Sequence, residues 1–250
     1  MNSDTLNAPI QMAKQRKEKP GFLRRLLTGC RWAVRILLVL IVVDIAYLAV
    51  VWPDWSKYKS GPVEQSNFIR NYESRRADNS HWPRLHWSPV PLKAIPESMI
   101  RAVVVAEDAR FFEHSGIDLK AFREAMEYNL SEKRMAYGAS TISQQTVKNV
   151  FLSSARNPLR KWHELVLTLA MERNLPKRRI LEIYLNVAEF GRGIYGVEAA
   201  ARHYWGIPSY LLTAQQSIEL AATLPSPVKN NPQTRTRSFN RRVKKIRRYY

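Results

Sequence analysis

Residues 36–52, ILLVLIVVDIAYLAVVW, form a seventeen-residue run whose only polar interruption is Asp44. A bilayer core takes about 20 apolar residues, with a range of about 17 to 25, so the run can span if Arg31 and Arg35 snorkel from its start. A cleaved signal peptide, a buried core helix and an interfacial helix compete with that reading. The run is longer than a signal-peptide core and ends in Val50, Val51, Trp52 and Pro53, with no small-x-small cleavage site. A core helix would carry a polar stripe, whereas this one is apolar all round apart from Asp44. The run therefore reads as an uncleaved transmembrane anchor.

Upstream of it lie Lys14, Arg16, Lys17, Lys19, Arg24, Arg25, Arg31 and Arg35, against only Lys57 and Lys59 just downstream. The positive-inside rule then places the N-terminus in the cytoplasm and everything from Asp54 onward outside it, with a single pass of the membrane. Trp52 and Trp55 suit the outer interfacial belt, and Asp44 is a costly charge to be paired with a partner helix or protonated.

The chain has 250 residues, with 40 Lys+Arg against 21 Asp+Glu and a net charge of +19. Such a balance calls for a polyanion: nucleic acid, anionic lipid or a phosphorylated substrate. At 45% hydrophobic and 10% aromatic the chain is not globally disordered. The lone Cys30 excludes an internal disulfide framework and a cysteine-based zinc cluster. The charge is unevenly placed: residues 1–35 carry a net +6, residues 229–250 a net +9 with no acidic residue, and residues 36–228 only +4. The expected order is a basic cytoplasmic N-terminus (1–35), a transmembrane helix (36–52), a proline-rich linker (53–96), a folded domain (97–228) and a basic tail (229–250). With the domain outside the cytoplasm, nucleic acid is not an expected partner.

From Glu97 to about Leu224 the pattern is helical. Asn157-Pro158 gives an N-cap and an N1 proline, Pro176 closes that helix, Gly206 is a C-cap, and Thr213 with Gln216 fits a capping box. No stretch alternates with period 2 and there is no internal repeat, so the domain is expected to be mostly α.

Three segments carry chemistry. In the first, Ile100, Val103, Val104 and Glu107 share one helical face, placing a carboxylate where an apolar residue is expected. Desolvation there would raise its pKa and suit a general acid or base. A blander account is that Glu107 ends the helix or pairs with Arg101 or Arg110. His114 follows, ahead of a turn at Gly116, and alone would more often be structural. In the second, Gly138 breaks the chain, Ser140 or Thr141 can cap a helix, and Thr141, Gln144 or Gln145, and Lys148 then share a face. Adjacent amides can read sugar hydroxyls or amides and Lys148 can meet a phosphate, although a capped, solvated helix explains the same pattern. In the third, Arg156, Arg160 and Lys161 crowd cations at a helix start, which costs stability unless an anion binds. Glu164, four residues after Arg160, also fits a simple i,i+4 pair.

In order, these segments read Glu107-Asp-Ala-Arg-Phe-Phe-Glu-His-Ser-Gly-Ile-Asp118, Gly138-Ala-Ser-Thr-Ile-Ser-Gln-Gln145 with Lys148-Asn149, Arg160-Lys-Trp-His-Glu164 and Lys177-Arg-Arg-Ile-Leu-Glu-Ile-Tyr-Leu-Asn186. Together they resemble the signature blocks of the peptidoglycan glycosyltransferases, enzymes that polymerise lipid II. A fifth block, Tyr195 to Gly206, is similar to the family's last, with Trp205 where phenylalanine is commoner. The resemblance spans roughly residues 90–230. With no penicillin-binding transpeptidase domain following, it points to the monofunctional biosynthetic branch.

The resemblance implies a mostly α, lysozyme-like domain with a small membrane-facing jaw subdomain, preceded by one transmembrane helix. It implies a growing glycan on undecaprenyl pyrophosphate as donor and lipid II as acceptor. Glu107 matches the family's general base and Glu164 its second carboxylate. Lys148, Arg156, Arg160 and Lys161 fit the diphosphate leaving group. Ser140, Gln144 and Gln145 match the polar block that orders the cleft, and Arg123 takes the place of a donor-side arginine. The blocks also put Asp108, Phe111, His114 and Asn149 among the substrate-binding residues. Gly191, Gly193 and Gly196 serve turns, and Tyr184 and Asn186 read as structural. No cofactor is required by the sequence, no metal-ligating set stands out, and a divalent cation (magnesium or manganese) is compatible with Glu164. Expected partners are membrane lipids and proteins of cell division or elongation. A lytic transglycosylase would share the core and the glutamate but has no need of a diphosphate cluster; a non-catalytic scaffold would have no need of both Glu107 and Glu164.

Overall fold

The computed structural model describes residues 21–132, 140–155 and 157–250. It divides into two compact units, one ending at Pro53 and one running from Asp54 to Tyr250.

The first unit is one helix, α1 (Phe22–Val50), 29 residues long. Its stretch Arg25–Val50 is long and apolar enough to cross a membrane, the one such helix among the described residues. At about 1.5 Å per residue it exceeds the hydrocarbon thickness. The helix starts well before the apolar run and includes Arg31 and Arg35, whose guanidinium lies 5.1 Å from the Trp32 ring centre.

In the second unit, α2 (Ser56–Lys59) and α3 (Asn67–Asp78) precede β1 (His86–Trp87). Then come α4 (Glu97–Glu107), α5 (Leu119–Ser131), α6 (Ile142–Phe151), α7 (Pro158–Asn174) and α8 (Lys177–Val187). A hairpin of β2 (Glu189–Gly191) and β3 (Ile194–Tyr195) leads to α9 (Val197–Trp205), α10 (Ala214–Thr223) and α11 (Arg237–Tyr249). β3 pairs in parallel with β1 and antiparallel with β2. These strands are two or three residues long, too short for an alternating pattern to show in the sequence.

One apolar core joins the helices: Met99 and Val103 of α4, Ile142 and Val147 of α6, Tyr184 and Leu185 of α8 and Leu220 of α10 are all buried. Caps fix where helices begin. Thr141 and Gln144 form a capping box on α6, Thr213 and Gln216 another on α10, and Asn157 caps α7 with Pro158 next to it. Gly206 ends α9 in the left-handed conformation at φ +68°. α5 differs in kind: it buries no residue and exposes Leu119, Phe122, Met126 and Leu130.

Two segments differ from the sequence reading. Residues 53–96 are structured: Trp55, Val63, Leu92 and Ile95 enter the main core, while Ile69 and Tyr72 of α3 form a small cluster with Tyr195. Proline density hid these apolar positions. Asn186 stitches the segment to α8, its side chain accepting from Val90 N at 2.8 Å and donating to Val90 O at 2.9 Å. The basic tail is likewise no loose appendage. Phe239, Val243 and Ile246 recur at helical spacing and are buried, so α11 packs on α4 and α10 with its charges exposed except Arg242, which is half-buried.

Candidate active site

Glu107 is the last residue of α4, and its neighbours come from three other helices. Gln145 of α6 donates from Nε2 to Glu107 Oε2 at 2.8 Å. Tyr184 of α8 donates to Gln145 Oε1 at 3.1 Å, and Arg242 of α11 donates to Glu107 Oε1 at 2.5 Å. Burial raises the Glu107 pKa above the ordinary carboxylate value, and the pull of Arg242, Gln145 and Lys148 offsets only part of that. Neither Arg101 nor Arg110 is its partner: Arg101 lies over the Tyr250 ring and Arg110 pairs with Asp118 at 2.8 Å.

Asp108 and His114 hold the framework. Asp108 accepts from His114 Nε2 at 2.9 Å and from Ile142 N at 3.0 Å, while His114 Nδ1 accepts from Gly116 N at 3.1 Å. Thr141 Oγ1 donates to Gly116 O at 2.7 Å, so the loop after α4 is tied to the start of α6. Phe111 is fully buried, with Lys177 Nζ 4.4 Å from its ring centre. Gly116, at φ +95°, lies so close to Thr168 that a Cβ there would meet its Cγ2 at 2.9 Å.

Beside this framework a cleft of about 340 Å³ is lined by Ser140, Gln144, Gln145, Lys148, Arg160, Lys161 and Glu164, with Phe68 and Ser154. A smaller one of about 240 Å³ runs past Glu107, Asp108 and Ser140 to Ala121 and Glu124 of α5. Ser140 borders both, and Gln145 lines the first while bonding Glu107. The carboxylate and the cationic cleft are thus joined through one amide.

Glu164 is buried and accepts from Arg160 Nη1 at 2.6 Å and from Lys161 Nζ. The i,i+4 pair is real, and it leaves two cations for one carboxylate. Burial pushes the Lys148 ammonium below its ordinary pKa; Arg160 and Lys161 repel it further, while Glu164 and Glu107 work the other way. Arg160 Nε is buried without a hydrogen-bond partner among the described residues. Such a pocket is held at a cost that an incoming anion would relieve.

The remaining sequence expectations divide. Arg123 is exposed on α5 and pairs with Glu127 at 3.2 Å, away from both clefts; its place in the amphipathic pattern did not show which face it takes. Asn149 is half-buried on α6 and lines neither cleft. Gly138 and Arg156 lie outside the described residues. Sequence reasoning missed Arg242, Phe68 and Ser154. Arg242 had a readable signal, a charge flanking the apolar stripe of Phe239, Val243 and Ile246.

No described donor set offers a free carboxylate to a divalent cation. Arg160 and Lys161 occupy Glu164. Asp108, His114 and Asp118 have ligand atoms within 4.8 Å of one another, but Asp108 and His114 bond each other, and Asp118 holds Arg110 and caps α5 through Ala121 N at 2.8 Å.

A transglycosylase family model matches residues 77–249, a span that includes α11. The chain is similar to the biosynthetic peptidoglycan transglycosylase of Nitrosospira multiformis, 41% identical over 201 residues, covering 79% of this chain and 86% of that protein. The protein of the same name from Nitrosomonas eutropha is 42% identical over 202 residues, covering 78% and 80%. That of Aeromonas hydrophila subsp. hydrophila is 42% identical over 209 residues, covering 84% and 83%.

Proposed function

The chain belongs to the transglycosylase family, and from that premise we propose that it polymerises lipid II into linear β-1,4 glycan strands with release of undecaprenyl pyrophosphate. It is a peptidoglycan glycosyltransferase of cell-wall synthesis. The observation that carries the detailed reading is the juxtaposition through Gln145 of a buried carboxylate and an over-cationic cleft.

In this reading Glu107 takes the proton from the acceptor 4-hydroxyl as that oxygen attacks C1 of the donor sugar. The C1–O bond to the pyrophosphate breaks on the opposite face, so configuration inverts. Charge grows on the leaving diphosphate, and Lys148, Arg160 and Lys161 stabilise it where it develops. Glu164 holds Arg160 and Lys161 in place. Asp108, His114 and Thr141 serve as scaffold for the α4–α6 junction. The basic N-terminus orients α1, leaving the domain on the outer side of the membrane, where the substrate's lipid is anchored.

The full chain in detergent should convert labelled lipid II to glycan polymer, and Glu107→Gln should abolish this. Polymerisation by Glu107→Gln at the wild-type rate would sink the base assignment. Glycan release from intact sacculi without polymer formation would favour a lytic enzyme instead.

A further inference from the structure

Arg242 approaches Glu107 from the far end of the chain. Its Nη2 donates to Glu107 Oε1 at 2.5 Å and to Ala106 O at 3.1 Å. Ala106 and Glu107 are the last two residues of α4, where backbone carbonyls have no partner further along the helix. One guanidinium therefore fixes both the end of the helix and the carboxylate it carries. A buried carboxylate left to itself would be protonated and would have no base to offer.

The other groups around Glu107 do not substitute for Arg242. Gln145 of α6 is neutral and orients one oxygen; Lys148 of α6 lies among Arg160, Lys161 and Glu164 and acts on Glu107 more weakly than Arg242 does. Tyr184 of α8 is buried and held neutral, and Asp108 is committed to His114 and Ile142. Glu219 of α10 turns to Gln215 at 2.7 Å and Arg235 at 3.5 Å. Arg242 is therefore the cation bonded directly to Glu107 among the described residues. Its Nε is buried with no hydrogen-bond partner among them. That is an unfavourable placement for a surface arginine and one that concentrates its remaining donors on α4.

We propose that Arg242, delivered by α11, is a positioning residue that keeps the Glu107 carboxylate ionised and fixed in orientation for proton abstraction. The proposal rests on the reading of Glu107 as the base. It ties the basic C-terminal segment to the chemistry, since one of its nine positive charges serves the active site and the apolar face of α11 sets where that charge lands.

The test is the pH dependence of lipid II polymerisation by the full chain in detergent, comparing wild type with Arg242→Gln, Arg242→Lys and Glu107→Gln. Loss of a close opposite charge moves a carboxylate pKa by about 1 to 3 units, so the rising limb of the Arg242→Gln profile should move up by about that much. Turnover below the limb should fall roughly tenfold per unit and recover at high pH. Arg242→Lys, which keeps the charge and loses the fork, should restore the limb position at reduced maximal turnover. A uniform loss at all pH with a lowered Tm, or an unmoved limb, would overturn the positioning role while Glu107→Gln stays inactive. An active Glu107→Gln would instead overturn the base reading beneath it.

Discussion

Gln145 spans Tyr184 and Glu107: its Oε1 accepts from the tyrosine hydroxyl at 3.1 Å and its Nε2 donates to the glutamate at 2.8 Å. The hydroxyl decides which end of the amide faces the carboxylate, because a flipped amide would turn an oxygen towards Glu107 and lose both bonds. Burial holds the Tyr184 pKa well above its ordinary value, so the donor persists through the working pH range. A residue that reads as core by its place in an apolar helix thereby also sets the geometry of the site.

Tyr184→Phe should keep the core filled and remove only this control. One net hydrogen bond is worth about 1 kcal/mol, so stability should fall by about that amount. Turnover on lipid II should fall roughly fivefold if the full bond energy is expressed in the transition state. Calorimetry and initial rates on the full chain in detergent report the two effects separately. Wild-type turnover in Tyr184→Phe would show that Gln145 needs no orienting group.

Lys148→Met should separate function from stability in opposite directions. The folded-state pKa of Lys148 lies below its unfolded value of 10.5, because burial and two neighbouring cations disfavour its charge. Between those two values the unfolded chain binds more protons, so stability rises with pH; at neutral pH the charged lysine is a burden on the fold. The substitution should raise Tm, flatten that alkaline rise, and cut turnover by roughly 100-fold through loss of a cation at the leaving group. A fall in Tm together with turnover would make Lys148 a structural residue.

Glu189, on β2, should give the fold a pH dependence of its own. Burial lifts its pKa from 4.5 to about 7, with Arg192 compensating only in part. The folded state then holds a proton that the unfolded state releases between these values. The glutamate costs nothing below 4.5, costs progressively more as pH rises to about 7, and then levels off at no more than roughly 3 kcal/mol. The difference in stability between Glu189→Gln and wild type should follow that course in paired melts from pH 4 to 8. A pH-independent difference would mean the carboxylate is solvated in the fold.

The helical caps, the long apolar helix and the place of Glu107 at the end of α4 were legible because each depends on residues close in sequence: Asn157 beside Pro158, Thr213 three residues from Gln216, Glu107 on the stripe of Ile100 and Val103. Long-range partners were not. Nothing near Glu107 announces Arg242, 135 residues later, and nothing near Tyr184 announces Gln145, 39 residues earlier. Arg123 shows a related limit: a motif position says which residue type is present, whereas its side chain in this structure pairs with Glu127 on a helix that buries no residue. Counting charge also misled over residues 229–250, where three buried apolar residues decide the fate of nine exposed or half-exposed cations.

That last point is open to direct measurement. Phe239 is 1% exposed in the core that α11 shares with α4 and α10, and replacing a buried phenylalanine by alanine typically costs about 3 to 5 kcal/mol. Phe239→Ala should therefore lower Tm by several degrees, whereas Lys244→Ala, on the exposed side of the same helix, should change it little. Because α11 also delivers Arg242, loosening it should lower turnover and move the pH profile in the same sense as Arg242→Gln, at temperatures where the protein is still folded. Removing residues 237–250 should do both more severely. A truncated chain that melts and polymerises lipid II like wild type would show the segment to be an appended basic tail after all, and would detach Arg242 from the chemistry at Glu107.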